Sequence, residues 1–256
     1  MIRYFILAGY FLLALLIQGF SQNRINTAFE AGETLTYRIY YSSAIIDATA
    51  GQATLVVNQS INHGTGDTVY HVTGNGYSKG LFDLFFTVRD TYESYFDKNT
   101  LLPDTFIRDT HEGSYSRYDF VTFNRKNLTA KTSRKTIAIP PKTFDIISAF
   151  YYMRTLTVAD FNADSIYLIN FYLDDSVYHS AIKYMGRDTL MVNNKKTPAI
   201  KLAPMMATGE VFADKYPMFV WVTDDKKHIP VFAKSKIIVG SVNVELIKSK
   251  NIFTGF

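Results

Sequence analysis

Along most of the chain apolar and polar residues change places at every step. This is the period-2 pattern of strands with one buried face, not the 3.6-residue period of helices. Between positions 33 and 42, Leu35, Tyr37, Ile39 and Tyr41 share one face, and Thr34, Thr36, Arg38 and Tyr40 take the other. Positions 241–249 repeat the arrangement, with Val242, Val244 and Leu246 opposed to Ser241, Asn243 and Glu245. The same pattern predicts strands at 53–59, 68–73, 85–96, 104–109, 115–123, 166–173, 177–185, 199–205, 219–223 and 231–239. Turn-forming residues separate these runs, at Asn62-His63-Gly64, Asn75-Gly76, Glu112-Gly113, Asp174-Asp175, Asn193-Asn194, Asp224-Asp225 and Val239-Gly240-Ser241. Successive hairpins, and so mostly a meander, are the expected topology.

One segment departs from the alternation. After Pro140-Pro141, Ile146, Ala149, Phe150 and Met153 recur at helical spacing, with Thr143 or Asp145 placed to cap the first turn. The spacing predicts an amphipathic helix over about 144–156. A lone helix among strands must cover an apolar surface, so it is expected to pack on the sheet or plug its concave side. Two runs, 84–96 and 166–173, carry large apolar residues on both faces, which reads as a sheet covered on both sides. The fold class is therefore mainly β: a large, strongly curved antiparallel sheet, half-open barrel or sandwich, around one central helix. Such curvature could leave an apolar groove for a ligand.

The first residues add a compartment. Arg3 precedes an apolar run from Tyr4 to Ile17, and Gly19-Phe20-Ser21 follows with small residues where a signal peptidase reads. A signal peptide over 1–21 is expected, since the 14-residue run falls short of the roughly 20 residues of a spanning helix. The mature chain would begin at Gln22. No linker or low-complexity tract interrupts it, so residues 22–256 read as a single β-rich domain. There is no cysteine, which excludes disulfides, thiolate metal sites and a lipid-modified N-terminal cysteine. Without Arg3 the chain keeps 26 basic and 23 acidic residues of interspersed sign. The basic cluster from Arg125-Lys126 to Arg134-Lys135 is split by polar residues and reads as a solvated hairpin, so nucleic acid is not an expected partner.

Several short segments, taken together, give a family resemblance. They are Gly32-Glu33-Thr34-Leu35-Thr36-Tyr37, Ala50-Gly51-Gln52-Ala53, the stretch 92–97 followed by Thr100-Leu101-Leu102-Pro103, the stretch 145–154 with its Ser148-Ala149-Phe150-Tyr151-Tyr152 core, and Val220-Trp221-Val222-Thr223-Asp224-Asp225 leading to Pro230. In order and spacing the chain resembles the bacterial family catalogued as domain of unknown function 3108, a group of exported proteins. The resemblance implies a secreted or periplasmic β protein and carries over no catalytic residues. In architecture it is similar to the half-open barrels that carry lipoproteins across the periplasm, an analogy that by itself assigns no ligand.

Several motifs touch on catalysis. Gly76-Tyr77-Ser78-Lys79-Gly80 matches the nucleophile-elbow pattern, but that elbow belongs to a parallel α/β sheet and here strands are expected on both sides. Ser180 and Lys183, three apart on a strand, face opposite ways. The five histidines, His63, His71, His111, His179 and His228, show no metal-ligand spacing, so no metal or cofactor is expected. Asp174-Asp175 and Asp224-Asp225 suit turns. Phe256 raises an outer-membrane barrel as a rival, which Lys248 and Lys250 on the face it would share weaken.

The polar and amphipathic residues singled out as ligand-binding candidates are Arg108 and Glu112 beside a turn, Tyr151 and Arg154 at the end of the helix, and the single tryptophan, Trp221. A salt bridge, a charge at a helix C-terminus or core packing is the simpler explanation of each. Three functional readings stand: an envelope protein that binds a lipid or a lipoprotein segment in its bent sheet, a structural or protein- and glycan-binding module of the envelope, and a hydrolase whose site is assembled from distant strands.

Overall fold

The computed structural model describes residues 26–43, 46–62, 64–161, 164–192, 194–205, 216–236 and 240–251. The expected leader at 1–21 and the terminal Phe256 lie outside these residues. Alternation becomes sheet almost throughout. The first half of the chain forms β1 (Thr34–Ser42), β2 (Asp47–Ile61), β3 (Thr68–Ser78), a short helix α1 (Gly80–Phe85), β4 (Val88–Asp97), β5 (Pro103–Glu112), β6 (Tyr115–Asn124), β7 (Thr129–Lys131) and β8 (Thr136–Ala138). After β9 (Thr143–Phe144) and helix α2 (Ile146–Met153) come β10 (Ile166–Leu173), β11 (Ser176–Val192), β12 (Lys195–Pro204), β13 (Met218–Thr223), β14 (Pro230–Lys236) and β15 (Ser241–Lys250).

All fifteen strands join one sheet in the order β8-β7-β6-β5-β4-β3-β2-β1-β15-β14-β13-β12-β11-β10-β9. It is the expected meander with two additions. The first and last strands pair along their length, from Thr34 opposite Lys250 to Ser42 opposite Ser241. At one edge β9 lies parallel to β10.

That order forces curvature. Laid flat at about 4.8 Å per strand, such a sheet would be roughly 67 Å wide. Yet its two edges are consecutive in sequence, Ala138 ending one and Thr143 beginning the other. The step between them can reach at most about 17 Å, so the sheet must roll round until its edges nearly meet. Side chains then bridge the gap. Arg108 of β5 donates from Nε to Asp119 (2.9 Å) and from Nη2 to Asp174 (2.6 Å). Arg117 donates to Asp119 (2.9 Å) and Arg134 to Asp175 (2.7 Å). Three arginines and three aspartates thus tie β5, β6 and the β7–β8 turn to the β10–β11 turn. Hydrogen bonds from Arg134, then Tyr172 and Thr132, hold the Asp175 carboxyl down at about 2 against its partial burial.

Helix α2 fills the lumen. Asp145 caps it, accepting from the N–H groups of Ile147 (2.8 Å) and Ser148 (2.9 Å), while Ser148 Oγ accepts from the Asp145 N–H (3.0 Å). This reciprocal capping box satisfies backbone donors that water cannot reach. Ser94 Oγ on β4 donates to the other Asp145 oxygen at 2.5 Å, fixing the helix to the sheet wall. Burial pushes the Asp145 carboxyl up to about 6, although these hydrogen bonds oppose the rise. The helix buries Ile147, Ser148, Tyr151 and Tyr152. The Tyr151 ring packs on Phe29 (4.6 Å) and Phe96 (6.2 Å), and Tyr152 on Phe144 (4.5 Å). Each fully buried aromatic of this core, such as Phe96 or Phe106, contributes about 1.5–3 kcal/mol relative to exposure.

The structure corrects three local expectations. Asn75-Gly76 is not a turn but lies inside β3, opposite Thr54 and Ala53, because neither residue leaves extended backbone there. The strand predicted from 85 starts at Val88, since Gly80 turns the chain into α1 first. The apolar residues of 84–86 are exposed, and so is Leu168 of β10, so the sheet is not covered on both faces at those points.

Candidate functional site

Helix α2 packs inside the rolled sheet, and an open apolar space lies at one rim. It is a groove of about 830 Å³ walled by Ile39 and Tyr41 of β1, Ala48 to Gly51 of β2, Gly76 to Ser78 of β3, Val242 of β15, Val88 and Asp90 of β4, and Leu81, Phe82 and Phe85 of α1. Small residues make the room. At Gly51 a Cβ would stand 2.5 Å from the Tyr77 carbonyl oxygen, so β2 and β3 approach each other closely only because that side chain is missing.

The wall formed by α1 is held by a compact polar knot. Gly80 takes a positive φ of 61°, which turns the chain sharply from β3 into the helix. The Lys79 N–H donates to the Ala50 carbonyl (2.8 Å). Ser78 Oγ donates to Asp83 and accepts from the Val88 N–H (2.8 Å), joining the end of β3, the helix and the start of β4. Arg89 closes the knot with a two-pronged contact to Asp83 (2.8 and 3.0 Å). Hydrogen bonds from Arg89, then Ser78, hold the Asp83 carboxyl at about 2. The match to the nucleophile elbow thus has a structural role. Ser78 does stand between a strand and a helix, but the sheet is antiparallel, the hydroxyl proton goes to Asp83, and no histidine lines the groove.

The five residues singled out by sequence lie in four places, and none lines the groove. Arg108 belongs to the ionic clasp across the sheet edges. Glu112, half-exposed at the end of β5, sits beside Asp90 of the groove wall; partial burial, then the Asp90 charge and hydrogen bond, raise its carboxyl. Arg154 follows α2 and is fully buried. It makes a two-pronged contact with Glu33 (2.5 and 2.8 Å) and donates to the carbonyls of Ala28 (3.0 Å) and Lys227 (3.2 Å). Its guanidinium lies over the rings of Phe29 and Tyr151. The Tyr151 hydroxyl is buried beside this pair without a hydrogen-bond partner among the described residues, and burial raises it well above an ordinary phenol.

Trp221 pairs with Lys201 on the face of β13 opposite Val220 and Val222, which pack into the main core. Its ring meets Phe232 (5.4 Å) and Phe219 (6.2 Å), and its N–H donates to Asp188 (2.9 Å). Among the described residues no group of three or more histidine or acidic side chains is placed to hold a metal. The described histidines are dispersed: His71 bonds Glu93 (2.7 Å) and stacks on Tyr95, His179 meets Asn170, and His228 meets the Arg154 carbonyl.

A meander rolled nearly shut around one helix, with an apolar groove at its rim, defines a β-barrel-like protein. The same class is found in the crystal structure of a β-barrel-like protein of domain of unknown function DUF1849 from Brucella abortus, with a TM-score of 0.60 over 88% of this chain and 99% of that one. At 10% identity the likeness is one of fold alone. A protein described as exported, with a YmcC-like fold, from Bacteroides fragilis aligns over 87% of this chain and 97% of its own at 11% identity and a TM-score of 0.32. No curated protein matches the chain. The family is nonetheless shown by the sequence: proteins of unknown function DUF3108 match residues 36–247, and the chain belongs to that family. No described helix is long and apolar enough to cross a membrane.

Proposed function

We propose that this is an exported protein of the bacterial envelope that holds one apolar or amphipathic molecule, such as a lipid acyl chain, in the rim groove. The observation that carries the reading is the groove itself: about 830 Å³ walled by Ile39, Val88, Val242 and the aromatic rings of α1. Ligand sites commonly span about 300–1,000 Å³, mostly apolar with a few polar groups to fix orientation. Tyr77 and Asp90 supply such groups along one side. On this reading the ligand lies at the rim, and the centre of the concave face is taken up by α2 and the aromatic residues packed round it. Export rests on the basic-apolar-small pattern of residues 1–21.

Native mass spectrometry of the purified protein, paired with displacement of a fluorescent fatty acid, tests the binding. The groove-filling variant Ala48→Trp should lose it while keeping the same unfolding midpoint. Absence of any bound or bindable lipid, or undiminished binding by the filled variant, would refute the assignment. An intact mass beginning at Gln22 after expression in a bacterial host checks export; an unprocessed chain in the cytoplasm would contradict it.

A further inference from the structure

Helix α1 has no buried residue. Leu81, Leu84 and Phe85 are 77%, 78% and 88% exposed, and Phe82 and Phe86 are also exposed, in a protein whose other large rings are mostly packed. A helix whose four large apolar side chains are all exposed, its one polar side facing back into the protein, suits a nonpolar surrounding better than one-sided docking on a sheet or groove. Leu81, Phe82 and Phe85 face the groove, while Leu84 is no part of its wall. Something other than groove lining is needed to account for Leu84.

The polar groups around α1 are arranged to leave its tip greasy. Its one acid, Asp83, is turned back into the knot with Ser78 and Arg89. The cations stand at the two ends: Lys79 before the helix, bonded to Gln52 (2.7 Å) and over the Tyr77 ring, and Arg89 after it. Between positions 79 and 89 the net charge is therefore +1, with both positive groups where headgroups would meet a segment immersed in acyl chains. The exposed apolar area is on the order of 600 Å², large for an idle patch on a monomer. It is also less than the roughly 800 Å² each side of a stable protein interface buries. A small convex apolar tip with flanking cations fits a lipid surface better than a second protein.

We infer that α1 inserts into the interface of a lipid bilayer, placing the mouth of the groove against the acyl chains from which its ligand would come. The inference rests on the groove reading, so its test separates the two. The purified full chain is mixed with vesicles of phosphatidylcholine and phosphatidylglycerol, and sedimentation is compared with that of Leu84→Asp, a variant altered at an exposed residue outside the groove wall. The variant should bind vesicles at least about tenfold more weakly while keeping wild-type affinity for a free fluorescent fatty acid. Residues 1–25 are common to both chains and cancel in the comparison. In a second measurement, the fluorescence of a Phe85→Trp chain should be quenched by brominated lipid. Equal sedimentation of Leu84→Asp and wild type, or absence of quenching at position 85, would overturn the insertion even if the fatty acid binds. Reproducible capture of a protein at α1 with no vesicle binding would overturn it as well.

Discussion

Replacing Arg154 by methionine removes the largest fully buried side-chain charge among the described residues. The substitution keeps much of the stem volume and deletes the guanidinium, leaving Glu33 as a carboxylate 1% exposed and without its two-pronged partner. The carbonyls of Ala28 and Lys227 lose a donor in the same step. Breaking a buried pair from one side costs about 3–5 kcal/mol, because the remaining charge is neither hydrated nor neutralised. Against a total stability of about 5–15 kcal/mol this is a large fraction. Removing both charges, in Arg154→Met with Glu33→Leu, should recover most of the loss, since two apolar groups of similar volume need no solvation. Urea unfolding followed through the emission of Trp221, packed between Phe219 and Phe232, supplies the measurement. With a slope of about 2–3 kcal/mol/M the single variant's midpoint should fall by about 1–2 M, and the double variant should return towards wild type. A single variant within about 1 kcal/mol of wild type, or a double variant no better than the single, would refute the account of Arg154 as the structural anchor between α2 and the chain before β1.

Three further outcomes follow from the same geometry. Asp145 titrates at about 6 in the fold against 3.8 ordinarily, so the folded state holds its proton longer than the unfolded state; its contribution is complete below pH 4 and lost as pH rises through 6. Asp145→Asn, which keeps a capping oxygen, should therefore gain on wild type by up to about 3 kcal/mol between pH 4 and pH 7, and a pH-independent difference would contradict this. Tyr151→Phe deletes a buried hydroxyl that has no partner and should leave stability unchanged or raised by about 1 kcal/mol; a clear loss in urea unfolding would show that the hydroxyl is used. Gly51→Ala sets a Cβ against the Tyr77 carbonyl and should cost about 1–3 kcal/mol while prising β2 from β3, with fatty-acid binding falling alongside if the groove is the site.

The alternation of small and large, polar and apolar residues made the sheet legible because a strand with one buried face writes its period directly into the chain. Residues 166–173 became β10 with those bounds, and 241–249 became β15 but for one residue. The helix was legible through Asp145 and the spacing of Ile146, Ala149 and Met153, though it ends at Met153 where Arg154 turns to Glu33. Helix α1 was not. Gly80-Leu81-Phe82-Asp83-Leu84-Phe85 is too short to show a helical period, and the apolar residues from position 84 read as the start of a strand covered on both faces when in fact they face solvent. The groove was equally hidden, since it needs β15, β1, β2 and β3 brought side by side and sequence reveals the pairing of first and last strands only through contact. Arg108 stood out with Glu112 beside a turn and Arg154 at the end of the helix, but they pair with Asp174 and Glu33, 66 and 121 positions away, and Arg108 also with Asp119.

The seam between β1 and β15 also fixes an order of assembly. Hairpins from β2 to β8 and from β10 to β14 can each zip up locally as the chain emerges from a ribosome or a secretion channel. The ring around α2 can close only when the last strand has arrived to dock against the first. Until then the aromatic interior stays open along that line. The two halves of the sheet can therefore form separately, but neither is sealed from water until β15 docks on β1, so the slowest step of folding is expected to be this one pairing between the two ends of the described chain.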